Sequence, residues 1–132
     1  MKENKLPKIS IIIPVLNEEE ALDTLLPYLQ TKAANYNQLE VIVSDGGSSD
    51  NTISIAKKFG ASWLSATRGR ASQMNAGAKK ANGQILYFLH ADSLPPKHFD
   101  QIIVSAITSG IPAGCFRLIF NMDTRGLFSI EI

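Results

Sequence analysis

Ile9-Ser10-Ile11-Ile12-Ile13-Pro14-Val15, followed at once by Leu16-Asn17-Glu18-Glu19-Glu20, is the stretch on which the fold turns. A short β-branched run closed by a residue that cannot donate to a sheet ladder reads as a buried strand. Asn17 then stands where a helix N-cap belongs, with Glu20 three residues on as a capping-box partner. Leu22, Leu25, Leu26 and Leu29 recur behind it at helical spacing. Pro27 inside that pattern predicts a kink or an early end.

The alternation continues outward from this unit. Leu39 to Ser44 is a second strand, and Asp45-Gly46-Gly47-Ser48-Ser49-Asp50 is a turn into a helix capped by Ser49 or Asp50 and stopped at Gly60. Ala61 to Ala66 reads as a third strand. Arg70 to Ala81 reads as a helix with Ala71, Met74, Ala78 and Ala81 on one side, ended by Asn82-Gly83; its small residues permit close approach to a sheet. Ile85 to Leu89 is a fourth strand, apolar on both faces, as expected when helices cover both sides. Pro95-Pro96 opens a further helix bearing Phe99, Ile102, Ile103 and Ala106. Strands alternating with helices imply an α/β fold with a mostly parallel sheet. In such sheets ligands bind beyond the carboxyl ends of the strands. Those ends carry Pro14 to Glu18, Asp45-Gly46 and His90-Ala91-Asp92, three polar clusters on one edge.

Composition narrows the function. The chain has 132 residues, with 13 Lys+Arg against 12 Asp+Glu, 45% hydrophobic residues and one cysteine. A chain of this length buries roughly two thirds of its unfolded surface, so a single domain needs no disulfide or structural metal. Balanced, interspersed charge offers no basic stripe for nucleic acid. Cys115, alone, can form neither an internal disulfide nor a cysteine-rich zinc site, which fits the cytoplasm. The basic start is not a signal peptide, and no apolar run approaches the roughly 18 to 20 residues of a transmembrane segment. The first strand is followed neither by Gly-x-Gly-x-x-Gly nor by a Gly-Lys-Ser/Thr phosphate loop, which sets aside dehydrogenases and nucleoside-triphosphate hydrolases.

Four segments, in order, carry a resemblance. Ser10 to Glu18 (SIIIPVLNE), Glu40 to Thr52 (EVIVSDGGSSDNT), Arg68 to Gly77 (RGRASQMNAG) and Leu89 to Ser93 (LHADS) resemble the successive motifs of family-2 glycosyltransferases. The resemblance covers nearly the whole chain. It is nearest to the small soluble subgroup with His-Ala-Asp in place of Asp-x-Asp and a Gly-Cys-Phe-Arg strand (Gly114 to Arg117) behind it. It implies a GT-A fold that binds a nucleotide-diphospho-sugar, UDP-linked first and GDP-linked second, and passes the sugar to an acceptor with inversion.

Carried onto this sequence, the resemblance puts Pro14, Asn17 and Glu18 in the nucleoside pocket and Asp45 on the base, with Gly46 allowing close backbone approach. Arg70 would lie near base or phosphate, and Asn75 and Gly77 would shape the helix against the nucleotide. Asp92 matches the last carboxylate of a motif that ligates Mn²⁺ or Mg²⁺ across the two phosphates. His90 stands where relatives carry the first carboxylate, and strand alternation would put it on the same face as Asp92. Residues 1–93 then form the nucleotide-sugar part of a single domain spanning 1–132, and residues 94–132 begin the acceptor part.

Plainer readings stand beside these. Asp45 before Gly-Gly is a turn former, and Asn17 and Glu18 serve a helix start. Ser48, Ser49 and Asp50 read as capping residues, Cys115 as a small core residue and His98 as surface. Arg70 in a first helical turn is slightly misplaced against the helix dipole, which favours a bound anion.

No residue is assigned as the catalytic base, because Asp123 and Glu131 sit in no matching context. A catalytically silent or truncated nucleotide-sugar-binding module is therefore an alternative. A nucleotidyltransferase is a third reading, disfavoured because Asn17-Glu18-Glu19-Glu20 is opposite in charge to the basic loop it needs. The apolar pattern of Gly126 to Ile132 leaves an element with nothing after it. It predicts either a missing portion or a homodimer covering Phe128, Ile130 and Ile132.

Overall fold

The computed structural model describes residues 7–111, 113–119 and 127–131. Four parallel strands are interleaved with helices: β1 (Ile9–Val15), α1 (Glu19–Lys32), β2 (Leu39–Asp45), α2 (Thr52–Lys58), β3 (Ser62–Ser65), α3 (Arg70–Lys80) and β4 (Ile85–Phe88). They lie in the order β3-β2-β1-β4. Helix α4 (Phe99–Thr108) follows, and then an antiparallel pair, β5 (Cys115–Ile119) and β6 (Leu127–Glu131). This is the expected α/β architecture with a parallel sheet.

Alternation along β1 divides the interior. Ile9, Ile11, Ile13 and Val15 face one side, where they cluster with Leu22, Leu25, Leu26 and Leu29 of α1, Ala56 of α2 and Phe99 of α4. Each fully buried Ile or Leu contributes roughly 1.5 to 3 kcal/mol. Ile12, Ser10 and Ser44 face the other side, which α3 covers by lying across β1 and β2. Gly77 makes that possible: a Cβ there would stand 2.5 Å from Cγ2 of Ile12.

Pro14 is tolerated in a central strand for a local reason. Even-numbered residues of β1 direct their backbone groups toward β4, as the bonds from Ile85 N–H to Lys8 and from Leu89 N–H to Ile12 establish. The next bond of that ladder would run from residue 14 to the Leu89 carbonyl, and Pro14, with no N–H to give, ends the β1–β4 register at Ile12, so that only the last bond at the carboxyl end is lost.

Several local expectations are corrected. Asn17 does not cap α1; Glu18 holds that place without a side-chain cap bond, and no capping box forms. Pro27 does not end the helix, which runs five residues further to Lys32. The bond it removes would have gone to the carbonyl of Asp23, an exposed residue on the outer side of the helix. Asn51 is the cap residue of α2, although the Asp50 carboxylate still accepts from Thr52 N–H at 2.9 Å. The buried face of α3 is Gln73 and Gly77, and Ala71 is exposed.

Pro95-Pro96 does not open α4. His98, left-handed at φ 59°, precedes it, and its N–H is held by the carbonyl of Lys32 at 2.7 Å. Nor is β4 covered on both faces. Leu86 and Phe88, in register with Ser10 and Ile12 on the α3 side, are 42% and 41% exposed, because α3 reaches β1 and β2 but leaves the edge open.

In the C-terminal pair, Phe116 lies opposite Ile130 and Leu118 opposite Phe128. The environment of those side chains, and the expected dimer contact at Ile132, lie outside the described residues. Among the described residues no helix is long and apolar enough to cross a membrane.

Candidate functional site at the carboxyl edge of the sheet

The sheet order reverses direction at β1, since β2 and β3 lie to one side and β4 to the other. The carboxyl ends of β1 and β4 therefore flank the topological switch point, the place where open α/β sheets bind ligands. The β1 exit carries Pro14, Asn17 and Glu18, the β4 exit carries His90 and Asp92, and the β2 exit beside β1 carries Asp45 and Gly46.

The two exits from β1 and β2 are knotted together. Asn17 adopts a left-handed conformation, φ 52°, which asparagine tolerates better than most residues. Its Oδ1 accepts from Ser49 N–H at 2.8 Å, and its own N–H donates to Ser48 Oγ at 2.8 Å. Glu18 N–H donates to Thr52 Oγ1 at 3.0 Å. Asp45 is 2% exposed and turned into its own loop, accepting from Gly47 N–H at 3.1 Å, Ser48 N–H at 3.0 Å and the Ser48 hydroxyl. The turn-forming reading of Asp45 is thus realised geometrically. The Thr52 hydroxyl, above all, holds the Asp50 carboxyl below the ordinary carboxylate range; burial opposes this, and N–H groups of Thr52 and Glu19 add to it.

Gly46 is a glycine for packing reasons, since a Cβ there would meet Gln73 Oε1 at 2.7 Å. Gln73, which sequence reading passed over, is 5% exposed with its whole amide engaged. Its Nε2 donates to the carbonyls of Val15 at 2.8 Å and Ser44 at 2.9 Å, and its Oε1 accepts from Gly69 N–H at 3.1 Å. The signal lay in spacing: Gln73 and Gly77 are four apart, on one face, and counting only apolar residues hides a polar one there.

Arg70 is exposed at the start of α3, and among the described residues neither it nor Arg68 has an ion-pair partner. His90 and Asp92 are exposed and lie beyond β4, in a turn closed by Ser93 N–H to the His90 carbonyl at 3.1 Å. Strand alternation therefore does not relate their side chains, which corrects that expectation. Asn75 and Gly77 are not brought to the edge: Asn75 is exposed along α3, and Gly77 sits against Ile12 in the middle of β1.

Among the described residues no three His, Cys, Asp or Glu side chains gather as a closed metal cage. The exposed carboxylate of Asp92, two residues along the chain from the exposed His90, is nonetheless of the donor type that suits a hard divalent ion taking its remaining ligands from phosphate oxygens and water, the usual mode for Mg²⁺.

Known proteins resemble this chain in sequence and in fold. Glycosyltransferase AglE of Haloferax volcanii is 32% identical over 110 residues, covering 78% of this chain and 36% of AglE. The mannosyltransferase PcManGT of Pyrobaculum calidifontis, solved with GDP-Man and Mn²⁺, superposes with a TM-score of 0.65 at 24% identity over 79% of this chain and 32% of its own. Glucosyl-3-phosphoglycerate synthase of Mycobacterium tuberculosis, solved with Mn²⁺, UDP and glucosyl-3-phosphoglycerate, gives a TM-score of 0.65 at 24% identity, covering 79% and 40%. The chain spans about a third of the length of the curated relatives it matches. The sequence model of Glycosyl transferase family 2 matches residues 10–128, from the start of β1 into β6. Sequence motifs, parallel sheet and strand-end turns converge on one assignment: this chain has a GT-A fold and belongs to glycosyl transferase family 2.

Proposed function

We propose that the carboxyl edge binds the diphosphate and base of an activated sugar, and that the protein transfers this sugar to an acceptor hydroxyl by a single inverting displacement. What supports the reading is that the exits of β1, β2 and β4 lie along one edge at the switch point, with Asp92 exposed beyond β4 and Arg70 exposed at the start of α3, where among the described residues it has no ion-pair partner. Pro14, Asn17 and Glu18 line the nucleoside side, and Asp45 holds the loop against which the base rests. The guanidinium of Arg70 supplies a fork of donors for phosphate. Asp92 and His90 would hold Mn²⁺ or Mg²⁺, which, when bound, offsets the charge that builds on the departing nucleoside diphosphate.

UDP-linked donors come first and GDP-linked donors second, as the family allows. Residues 1–93 carry the donor, and residues 94–132 begin the acceptor side. The balanced charge and single cysteine support a cytoplasmic setting, and the apolar run from Leu127 supports a homodimer, which light scattering reads directly.

Calorimetric titration of UDP, UDP-glucose and GDP-mannose into the chain, with and without Mn²⁺, tests the reading. Metal-dependent binding that Asp92→Ala abolishes while the variant stays folded supports it. Absence of binding under every condition refutes it. Binding without sugar release to any acceptor favours the catalytically silent module.

A further inference from the structure

The three turns of the proposed donor site are not joined to one another by the sheet ladder. The ladder ends at Val15 and Asp45; beyond it Asn17 and Glu18 tie the β1 exit to the β2 exit, but these bonds do not reach the start of α3. The Val15 carbonyl points from β1 toward β2, as the bond from Gly46 N–H at 3.0 Å establishes, and the Ser44 carbonyl receives the same amide group as Val15. Both open into the β1–β2 seam just where pairing stops. Gln73 closes it from α3: its two amide hydrogens serve the two carbonyls, and its oxygen takes the N–H of Gly69.

The amide orientation follows from chemistry, since the reversed form would set its oxygen against two carbonyl oxygens. Ser44 Oγ, donating to the Gln73 carbonyl at 2.7 Å, fixes the same turn of helix a second time. An apolar side chain would suffice to fill this space. A carboxamide with both hydrogens and its oxygen engaged does something an apolar group cannot, which is to fix direction at three backbone points.

We propose that Gln73 is a positioning residue for donor binding. It sets the β1 exit with Asn17 and Glu18, the β2 exit with Asp45, and the start of α3 with Arg68 and Arg70 in one frame. This rests on the donor-site reading above. Gln73 does not touch the nucleotide; it holds in register the groups that do. Its loss leaves the Gly69 N–H without its partner, takes a donor from the carbonyls of Val15 and Ser44, and frees the start of α3 from the β1 and β2 exits, which stay tied to each other through Asn17 and Glu18, so that ordering α3 against them falls on ligand binding.

The test uses the full chain with UDP-glucose and GDP-mannose in Mn²⁺. Gln73→Leu, with a urea transition that remains cooperative, is expected to weaken binding of whichever donor the wild type takes by about tenfold or more. Gln73→Glu supplies the signature that a purely structural role would not move. Ionised, its carboxylate faces two carbonyl oxygens; protonated, it donates again. Its affinity relative to wild type should therefore recover as pH falls from about 7 to about 5.

Should Gln73→Leu fail to fold, Gln73→Glu at the lower pH and amide exchange in the wild type carry the test. Donor should slow exchange at Gly46 and Gly69 together. Folded variants that bind like wild type with a pH-independent ratio, or protection of one glycine without the other, overturn the proposal while leaving the donor site standing. A wild type that binds neither donor overturns both.

Discussion

Replacing Gly77 by alanine sets two effects of opposite sign against each other. In a helix interior, alanine is favoured over glycine by about 1 kcal/mol. Against this, the added Cβ would lie 2.5 Å from Cγ2, 3.2 Å from Cγ1 and 3.4 Å from Cβ of Ile12. Ile12 is fully buried at the centre of β1, and its branched side chain is stiff at χ1, so it cannot swing aside. The helix must move away from the sheet by most of an ångström to restore ordinary carbon contacts near 3.5 Å. Overpacking costs about 1 to 3 kcal/mol, and a 2.5 Å contact against a stiff, fully buried side chain falls in the upper half of that range. Packing wins, and Gly77→Ala is expected to be less stable than wild type by about 1 to 2 kcal/mol.

Urea unfolding followed by Trp63 fluorescence and by far-ultraviolet circular dichroism measures this directly. A double-mutant cycle isolates the cause. Ile12→Ala alone should lose about 2 to 5 kcal/mol. Combined with Gly77→Ala it should lose less than the sum, by about 1 to 3 kcal/mol, because the new methyl occupies vacated space. A Gly77→Ala chain as stable as wild type, or an additive double mutant, would refute the account of α3 packing.

Three further outcomes follow from other contacts. Asp100, 6% exposed, accepts from the N–H groups of Ala34 at 2.7 Å and Asn35 at 2.8 Å. Asp100→Ala should therefore lower stability by about 1 to 3 kcal/mol, and Asp100→Asn, which keeps one acceptor, by less. Tyr28→Phe removes the bond to the Pro95 carbonyl and should cost about 0.5 to 1.5 kcal/mol in the same assay.

Burial pushes the Glu40 carboxyl up, but the Asn82 N–H, the Ser10 hydroxyl, Lys8 and the Asn82 amide outweigh it, so it lies below its ordinary value of 4.5. A depressed carboxyl stabilises the fold above its unfolded pKa and loses that contribution as pH falls through the folded one. The gap in urea midpoint between wild type and Glu40→Gln should accordingly be widest at neutral pH and close below the ordinary carboxylate range. A gap that does not vary with pH would sink this assignment.

Much of the fold was legible because it depends on local spacing. The β-branched run of β1 and the stops at Gly60 and Asn82-Gly83 concern neighbours in the chain, and there the structure follows the pattern closely. Reading failed where a side chain found a distant partner. Asn17 looked like a cap because nothing nearby announced that its oxygen would be taken by Ser49, 32 residues away. Pro95-Pro96 looked like a helix start because the hold of Lys32 on His98 is invisible locally. The family motifs singled out Pro14, Asn17, Glu18, Asp45, His90 and Asp92, and the order of the strands brings the exits that carry them to one edge.

By itself the sequence determined that strands and helices alternate, that the strands are apolar enough to be buried, and that polar residues stand at their carboxyl ends. Hydrophobic period and turn chemistry act over a few residues, and a chain states them directly. Only the tertiary structure decided that Gln73 closes the β1–β2 seam, that Gly46 and Gly77 are glycines because another side chain occupies the space a Cβ needs, and that Leu86 and Phe88 stay uncovered. Each depends on which helix crosses which strands and how closely, a distance between elements that no local pattern encodes.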